Sequence, residues 1–361
     1  MEYMEVIEDI NIIYDVMEHD ENIRAEKRRK RVFRARVNYL EVLDDVEFRL
    51  RFRLTKKTVM RIHEIIKDTI CSKTTRNNAV PTMVRLLLTL RYFATGSYLT
   101  STGDFVGVSS ASACRFIKDV CEALVRLRPS FICFPTDLTP LKQGFYNLAG
   151  FPRVIGAVDC THVAVSPRNG GDVERYRNNE GVLSKNVQVI CDADLMIRDI
   201  VARWPGSTID QTVFDNSLIK ARFDAGEFDD SILLGDTDYQ SQPYLFTPLE
   251  QTNTPAENLY NEAHILSRNV VERCVDALKS RFPVLRKRVT LSVERTGDVI
   301  VACAVLHNLA VKMKDKHFQF IREQPPDTNR QEQNNDPHID PRRQLILNHF
   351  TSLVKQEVDP H

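Results

Sequence analysis

Residues 153–167 read RVIGAVDCTHVAVSP, an apolar run with a single acid, Asp159, in its middle. Residues 231–240, SILLGDTDYQ, repeat the pattern, with Ile232, Leu233 and Leu234 leading through Gly235 into Asp236. Short apolar runs of this kind predict buried strands. Residues 269–282, NVVERCVDALKSRF, set Val271, Val275, Leu278 and Phe282 at helical spacing and put Glu272 beside that stripe, facing inward. A carboxylate in or just after a fully apolar strand is costly to desolvate unless a cation or hydrogen bonds compensate it. Two acid-bearing strands and one acid-bearing helix therefore point to three carboxylates converging on a metal. A single acid after an apolar strand also has a plainer reading, as the residue where the strand meets solvent.

Around these runs the pattern is that of an α/β domain. Residues 186–207, NVQVICDADLMIRDIVARWPGS, predict two strands joined by a tight turn at Asp192–Leu195. Trp204 and Pro205 anchor the turn that follows, and Ser207 or Thr208 caps a helix from about Ile209 to Arg222. Residues 237–262 read as a polar, proline-broken excursion, with helices at 261–281 and 292–313. The order β-β-β-α-β-α suits a mixed sheet covered by helices on both faces.

The preceding residues read as helical. Thr55 caps a helix reaching Ile70, and Pro81 fits the first turn of another whose Leu86–Leu90 stretch is apolar nearly all round. A short helix ending at Phe105–Val106, a turn at Gly107 and a helix capped by Ser109 or Ser110 have the layout of a helix-turn-helix. Many αα-hairpins share it. The exposed start of the second helix offers Ser109, Ser110 and Arg115 for contacts to DNA. Four prolines in 129–152 suggest a linker. The expected division is an N-terminal helix and basic segment (1–49), a helical helix-turn-helix-like domain (50–130), a linker (131–152), an α/β domain that carries the acids (153–318), and a disordered linker with a C-terminal helix (319–361).

The 361 residues carry 49 basic and 49 acidic side chains, and this neutrality argues weakly against strong nonspecific nucleic-acid binding. The charge is uneven, however. Residues 1–20 place Ile7, Ile10, Ile13 and Val16 at helical spacing. Lys27 to Arg36, KRRKRVFRAR, is then either a solvated helix face or a nuclear-import or phosphate-contacting segment. No apolar run approaches the roughly 20 residues that span a bilayer, so no membrane role is expected. The N-terminus lacks the pattern of a secretory signal. Eight cysteines are scattered singly, without a CxxC pair or zinc spacing, as free thiols of a reducing compartment are. Residues 323–343 are poor in apolar side chains and read as disordered, and QLILNHFTSLV (344–354) as a short final helix.

Three or four carboxylates without His or Cys suit hard divalent ions, and two such ions about 4 Å apart can activate water, stabilise charge on phosphorus and stabilise a leaving oxygen. No glycine-rich phosphate cradle is visible, which disfavours a small-molecule phosphohydrolase.

The segments VDCTHVAV, WPGSTIDQTVFDNS, LLGDTDYQSQPYLFTP, YNEAHILSRNVVERCVDALKSRF and CAVLHNLA, lying in order within about residues 50–315, resemble the transposase core of the PIF/Harbinger superfamily. The resemblance implies a ribonuclease-H-like mixed sheet flanked by helices and a DDE triad of Asp159, Asp236 and Glu272, with thirty-five residues between the last two. Asp210, in the family's WPGS-x-x-D motif, is implied as a fourth acid that either binds metal or caps its helix. Also implied are one or two divalent cations (Mg²⁺ or Mn²⁺), DNA as substrate, a Myb-like DNA-binding partner, and a place in nucleus and cytoplasm. Two departures add negative charge: Asp238 stands where relatives commonly have glycine, and Glu262 where many have a basic residue. His162 and His264 lie near the triad acids in sequence. The family pattern often places a histidine at the second position, where a phosphate contact is implied, and the alternative is an ordinary packed or surface histidine. His307 is expected to serve packing. Two functions compete, a metal-dependent DNA endonuclease and a domesticated, non-catalytic DNA- or partner-binding protein.

Overall fold

In the computed structural model, which describes residues 36–72, 79–167, 173–315 and 340–358, the first apolar run forms strand β1 (Val154–Ala164) at the centre of a five-stranded sheet. β2 (Ser184–Cys191) and β3 (Ile197–Pro205) continue it as an antiparallel meander. Asp192 makes their turn, its Oδ1 accepting from the backbone N–H groups of Asp194 and Met196, both at 2.9 Å. β4 (Ile232–Leu234) runs parallel to β1 on its other edge, and β5 (Leu245–Phe246) parallel to β4, giving the order β3-β2-β1-β4-β5.

Alternation along β1 divides the core between the two faces of the sheet. Val154, Ala157, Ile232 and Leu234 pack on one face, Ile155, Val158 and Leu233 on the other. The step from 154 and 155 to 157 and 158 skips Gly156, where the register against β4 shifts. A Cβ at Gly156 would lie 2.8 Å from Cγ2 of Ile190, so this bulge has room for glycine alone.

Helices cover both faces. α1 (Asp45–Phe52), α2 (Lys56–Ile66, capped by Thr55), α3 (Thr82–Thr95), α4 (Leu99–Asp104) and α5 (Ser110–Val125) precede the sheet. Gly107, at φ 70°, turns the chain between α4 and α5, and Ser109 caps α5. Residues 50–130, expected as a domain of their own, share one hydrophobic core with the sheet: Ile62, Leu88 and Ile117 belong to the same buried cluster as Ala157 and Leu234. The described residues from 37 onward form one compact unit.

The segment expected as a linker contains α6 (Thr139–Ala149), with Leu141 and Phe145 buried. Its Pro140 sits in the first helical turn, where the missing N–H has no partner to lose, so proline starts this helix rather than breaking one. The helix expected over 209–222 is two: α7 (Asp210–Asp215) and α8 (Leu218–Asp224). Ser217 ends the first by donating to Phe214 O (2.6 Å) and caps the second by accepting from Lys220 N (3.2 Å). Together with Phe223 and Phe228 they cover the Leu233 face.

The other face carries α9 (Pro255–Arg281) and α10 (Val293–Lys312). α9 starts earlier than its apolar periodicity predicts, because Thr254 and Glu257 form a capping box around Pro255. The C-terminal residues return to this body. Arg342 donates to Thr247 Oγ1 (3.1 Å) and Pro248 O (3.0 Å), and Phe350 packs its ring against Phe151 and Tyr260 before α11 (Thr351–Val358). The expectations for 1–20, for Lys27 to Ala35 and for residues 323–339 fall outside the described residues. Among the described residues no helix is long and apolar enough to cross a membrane.

Candidate active site

Register sets the first two acids side by side. Ala157 of β1 pairs with Leu234 of β4 on parallel strands, so two residues further along each stand Asp159 and Asp236. Alternation turns Asp159 toward the face covered by α9. Asp236 follows the end of β4, held by an Asx turn in which its Oδ1 accepts from Asp238 N at 3.0 Å.

α9 supplies the third acid and a residue that sequence reasoning missed. Arg268 and Glu272 are one helical turn apart, and the Arg268 guanidinium reaches all three carboxylates. Nη2 lies 2.7 Å from Asp236 Oδ2 and 3.1 Å from Asp159 Oδ1, while Nη1 bonds Glu272 Oε1. The three acids thus converge on one cation belonging to the protein. Glu272 was expected to face inward; its side chain is 49% exposed and stands at the mouth of the site. The signal for Arg268 lay in the helix periodicity: it falls between buried Ser267 and buried Val271, inside the apolar stripe, where a charge needs a partner.

The acids border a cleft of about 800 Å³ whose wall also includes His162, Asp238, Lys279 and Arg286. Six carboxylates line it against three side chains of fixed positive charge. Burial raises the Asp159 pKa to about 7; Arg268 opposes the rise, and the charges of Asp236 and Asp210 add to it. Burial raises Asp236 as well, again against Arg268 and with help from Asp238.

Asp210, the first residue of α7, accepts from Asn186 Nδ2 at 2.7 Å, and burial raises its pKa. It makes no ion pair with Arg268, yet its charge reaches both Asp159 and Asp236. His162 stands exposed on the cleft wall with Nδ1 3.0 Å from Ser184 Oγ. His264 is a core residue, only 1% exposed, donating from Nε2 to Phe246 O at 3.0 Å. His307 is buried against Leu195 O. Ser109, Ser110 and Arg115 lie on the hairpin rather than on the cleft wall; Arg115 is exposed and donates to Ser112 Oγ at 3.2 Å.

The donor set fits a hard divalent ion, since three carboxylates already share one positive charge. As they stand, no three metal-ligating side chains among the described residues are placed to hold an ion together, and the Arg268 guanidinium lies between the acids.

Residues 158–308 match a family described as DDE superfamily endonuclease. The chain is 35% identical over 324 residues to the Rattus norvegicus protein named "Putative nuclease HARBI1", covering 86% of this chain and 93% of that one. The Homo sapiens protein of the same name is 34% identical over 324 residues, with the same coverage. An Arabidopsis thaliana relative, "Protein ALP1-like", is 23% identical over 312 residues, 78% of this chain and 74% of that one. A solved structure titled "Crystal structure of the Mos1 Strand Transfer Complex" covers 64% of this chain and 81% of that one at 10% identity; its TM-score of 0.18 is too low to establish a shared fold. With 35% identity along most of its length and the DDE endonuclease match across its sheet and both long helices, the chain belongs to the Harbinger transposase-derived nuclease family.

Proposed function

We propose that this protein is a metal-dependent DNA endonuclease in which Asp159, Asp236 and Glu272 are the catalytic carboxylates. The observation that carries the reading is their convergence, from two parallel strands and one helix, on a single cationic group. Asp159, Asp236 and Glu272 would hold a divalent Mg²⁺ or Mn²⁺, two ions in all if Asp210 joins them; bound there, the metal supplies an activated water and neutralises charge on phosphorus. The cleft's excess of carboxylates makes such a cation necessary, because an uncompensated acidic wall repels a phosphodiester. Lys279 and Arg286 supply positive charge along that wall. Lys279 is held in place by donating to Thr161 Oγ1 (2.6 Å) and His162 O (3.0 Å).

The strand order β3-β2-β1-β4-β5, antiparallel in its first part and parallel in its last, supports the ribonuclease-H-like reading. The exposed start of α5 supports DNA contact by Ser109, Ser110 and Arg115 in a helix-turn-helix. A Myb-like partner and a place in nucleus and cytoplasm complete this reading as the family resemblance implies them.

One observation favours a second reading, a domesticated binding protein. Arg268 already pairs with all three acids, so the fold does not require a metal. Incubation with supercoiled plasmid and Mg²⁺ or Mn²⁺, with and without chelator, separates the two. Ion-dependent nicking that is lost in Asp159→Asn and Glu272→Gln establishes the nuclease. Plasmid retention without nicking by the wild type assigns the chain to binding.

A further inference from the structure

We infer that Arg268 is an exchangeable internal cation: a divalent ion enters only as the guanidinium leaves the three carboxylates, and the freed guanidinium then takes a phosphodiester oxygen of the substrate. This rests on the metal reading proposed above and assigns to Arg268 the coupling between ion and substrate.

The conflict between guanidinium and ion is geometric. Nη2 bridges Asp236 Oδ2 and Asp159 Oδ1, and Nη1 holds Glu272 Oε1, so the oxygens that would ligate a metal are the ones Arg268 occupies. Two cations on one set of oxygens repel each other strongly where water is scarce. Metal and guanidinium are therefore alternatives.

A structural ion pair would be better satisfied than this one. Three carboxylates face one positive charge, and Arg268 Nε is buried without a hydrogen-bond partner among the described residues. The cluster also has a way to open. Glu272 is half exposed, and the guanidinium borders a cleft of about 800 Å³ into which a long side chain can swing while its Cα stays fixed in α9.

Release has a chemical consequence. An arginine pushed off its carboxylates and left unpaired beside a partly buried wall is costly. A forked donor of this kind finds its best replacement in a phosphodiester, which accepts two parallel N–H bonds. Ion entry should then be easier when phosphate is present, and by linkage phosphate should bind better when the ion is present.

Calorimetric titration of Mn²⁺ into wild type, Arg268→Gln and Arg268→Lys tests this without measuring activity. Arg268→Gln should bind Mn²⁺ about tenfold tighter than wild type, a coupling of ordinary allosteric size. A short DNA duplex should tighten Mn²⁺ binding to wild type by a similar factor and leave the Gln variant nearly unchanged. Thermal melts check folding. Should the Gln variant not fold, Arg268→Lys, whose point charge cannot bridge two carboxylates, must still bind Mn²⁺ tighter than wild type. Wild type binding Mn²⁺ with no gain in the folded variant overturns the exchange alone, as does a duplex effect that survives in Arg268→Gln. Failure of every form to bind Mn²⁺ overturns both the exchange and the metal reading beneath it.

Discussion

Ala157 and Leu234 are register partners on adjacent parallel strands, and that pairing places Asp159 and Asp236 abreast two residues later. Just upstream, the register shifts at Gly156, so the alignment of the acids depends on how tightly this bulge packs. In Gly156→Ala the new methyl carbon would meet Ile190 Cγ2 at 2.8 Å and Leu233 Cδ2 at 3.1 Å. Overpacking a close-fitting core costs about 1–3 kcal/mol. Chemical denaturation should show a midpoint lowered to match; an unchanged midpoint would mean that β1 and β4 have slack to absorb the methyl.

Asp236→Asn removes one of three acids that share Arg268. The guanidinium keeps Asp159 and Glu272, and the site loses a carboxylate whose ionisation burial already disfavours. The apo variant should therefore melt within about 1 kcal/mol of wild type, rather than suffering the larger loss of a severed one-to-one buried pair. Added Mg²⁺ should stabilise wild type by mass action and the variant much less. Equal stabilisation of both proteins by the ion removes Asp236 from the ligand set.

The two strand acids were legible because a carboxylate in an apolar run is a physical anomaly visible in one dimension. Glu272 was legible as a helix residue beside an apolar stripe, but its exposure was not, because helical phase alone cannot say how far along the sheet the helix extends. Arg268 was missed although its helical phase puts it in the apolar stripe: periodicity marks a charge there as needing a partner, but only the fold shows that two strands deliver acids beneath it. The linker reading of 131–152 failed on Pro140, whose effect reverses with its place in the helix. The common core of the helical region and the sheet could not be read at all, since periodicity shows that a face is buried but not against what. Leu88 and Ala157 are apolar in sequence; only the fold makes them members of one cluster.

Phe350 ties the C-terminal residues to the body. Its ring centroid lies 5.4 Å from that of Phe151 and 5.6 Å from that of Tyr260, and its side chain is 1% exposed. Truncation to alanine should cost about 3–5 kcal/mol if the segment folds with the core. Limited proteolysis gives the spatial check: Phe350→Ala should be cleaved within 340–358 under conditions that leave wild type intact. Loss of stability without faster cleavage there would show that the damage lies elsewhere.

Arg115 tests the DNA face of α5. It is exposed, and its guanidinium donates to Ser112 Oγ near the helix start. If it meets phosphate, Arg115→Ala should weaken duplex binding similarly for all sequences and reduce the salt dependence by about one counterion. A variant with unchanged affinity and slope would take the helix off the DNA.

His264 offers a further pH signature, set first by burial, with the charges of Arg268 and Arg342 adding to it. It is fully buried, Nε2 donates to Phe246 O, and burial lowers its pKa to about 4 from the 6.5 of an exposed ring. Between those values the unfolded chain binds a proton that the fold excludes, so stability rises with pH across this window. The contribution is complete above pH 6.5 and declines as pH falls toward 4, by about 3 kcal/mol in all at 1.36 kcal/mol per unit. Asp159 acts with the opposite sign. Its pKa, raised from 3.8 to about 7, makes the fold bind a proton that the unfolded chain lacks, and so favours the fold as pH falls through 7. A wild-type stability curve mixes the two, and only a difference isolates the histidine. His264→Gln keeps a donor for Phe246 O but cannot titrate. The stability of wild type minus that of the variant should be flat above pH 7 and fall steadily from 6.5 to 4. If the two curves run parallel through that range, the buried ring carries its proton in the fold, and the packing around Phe246 and Gly235 must accommodate a charge.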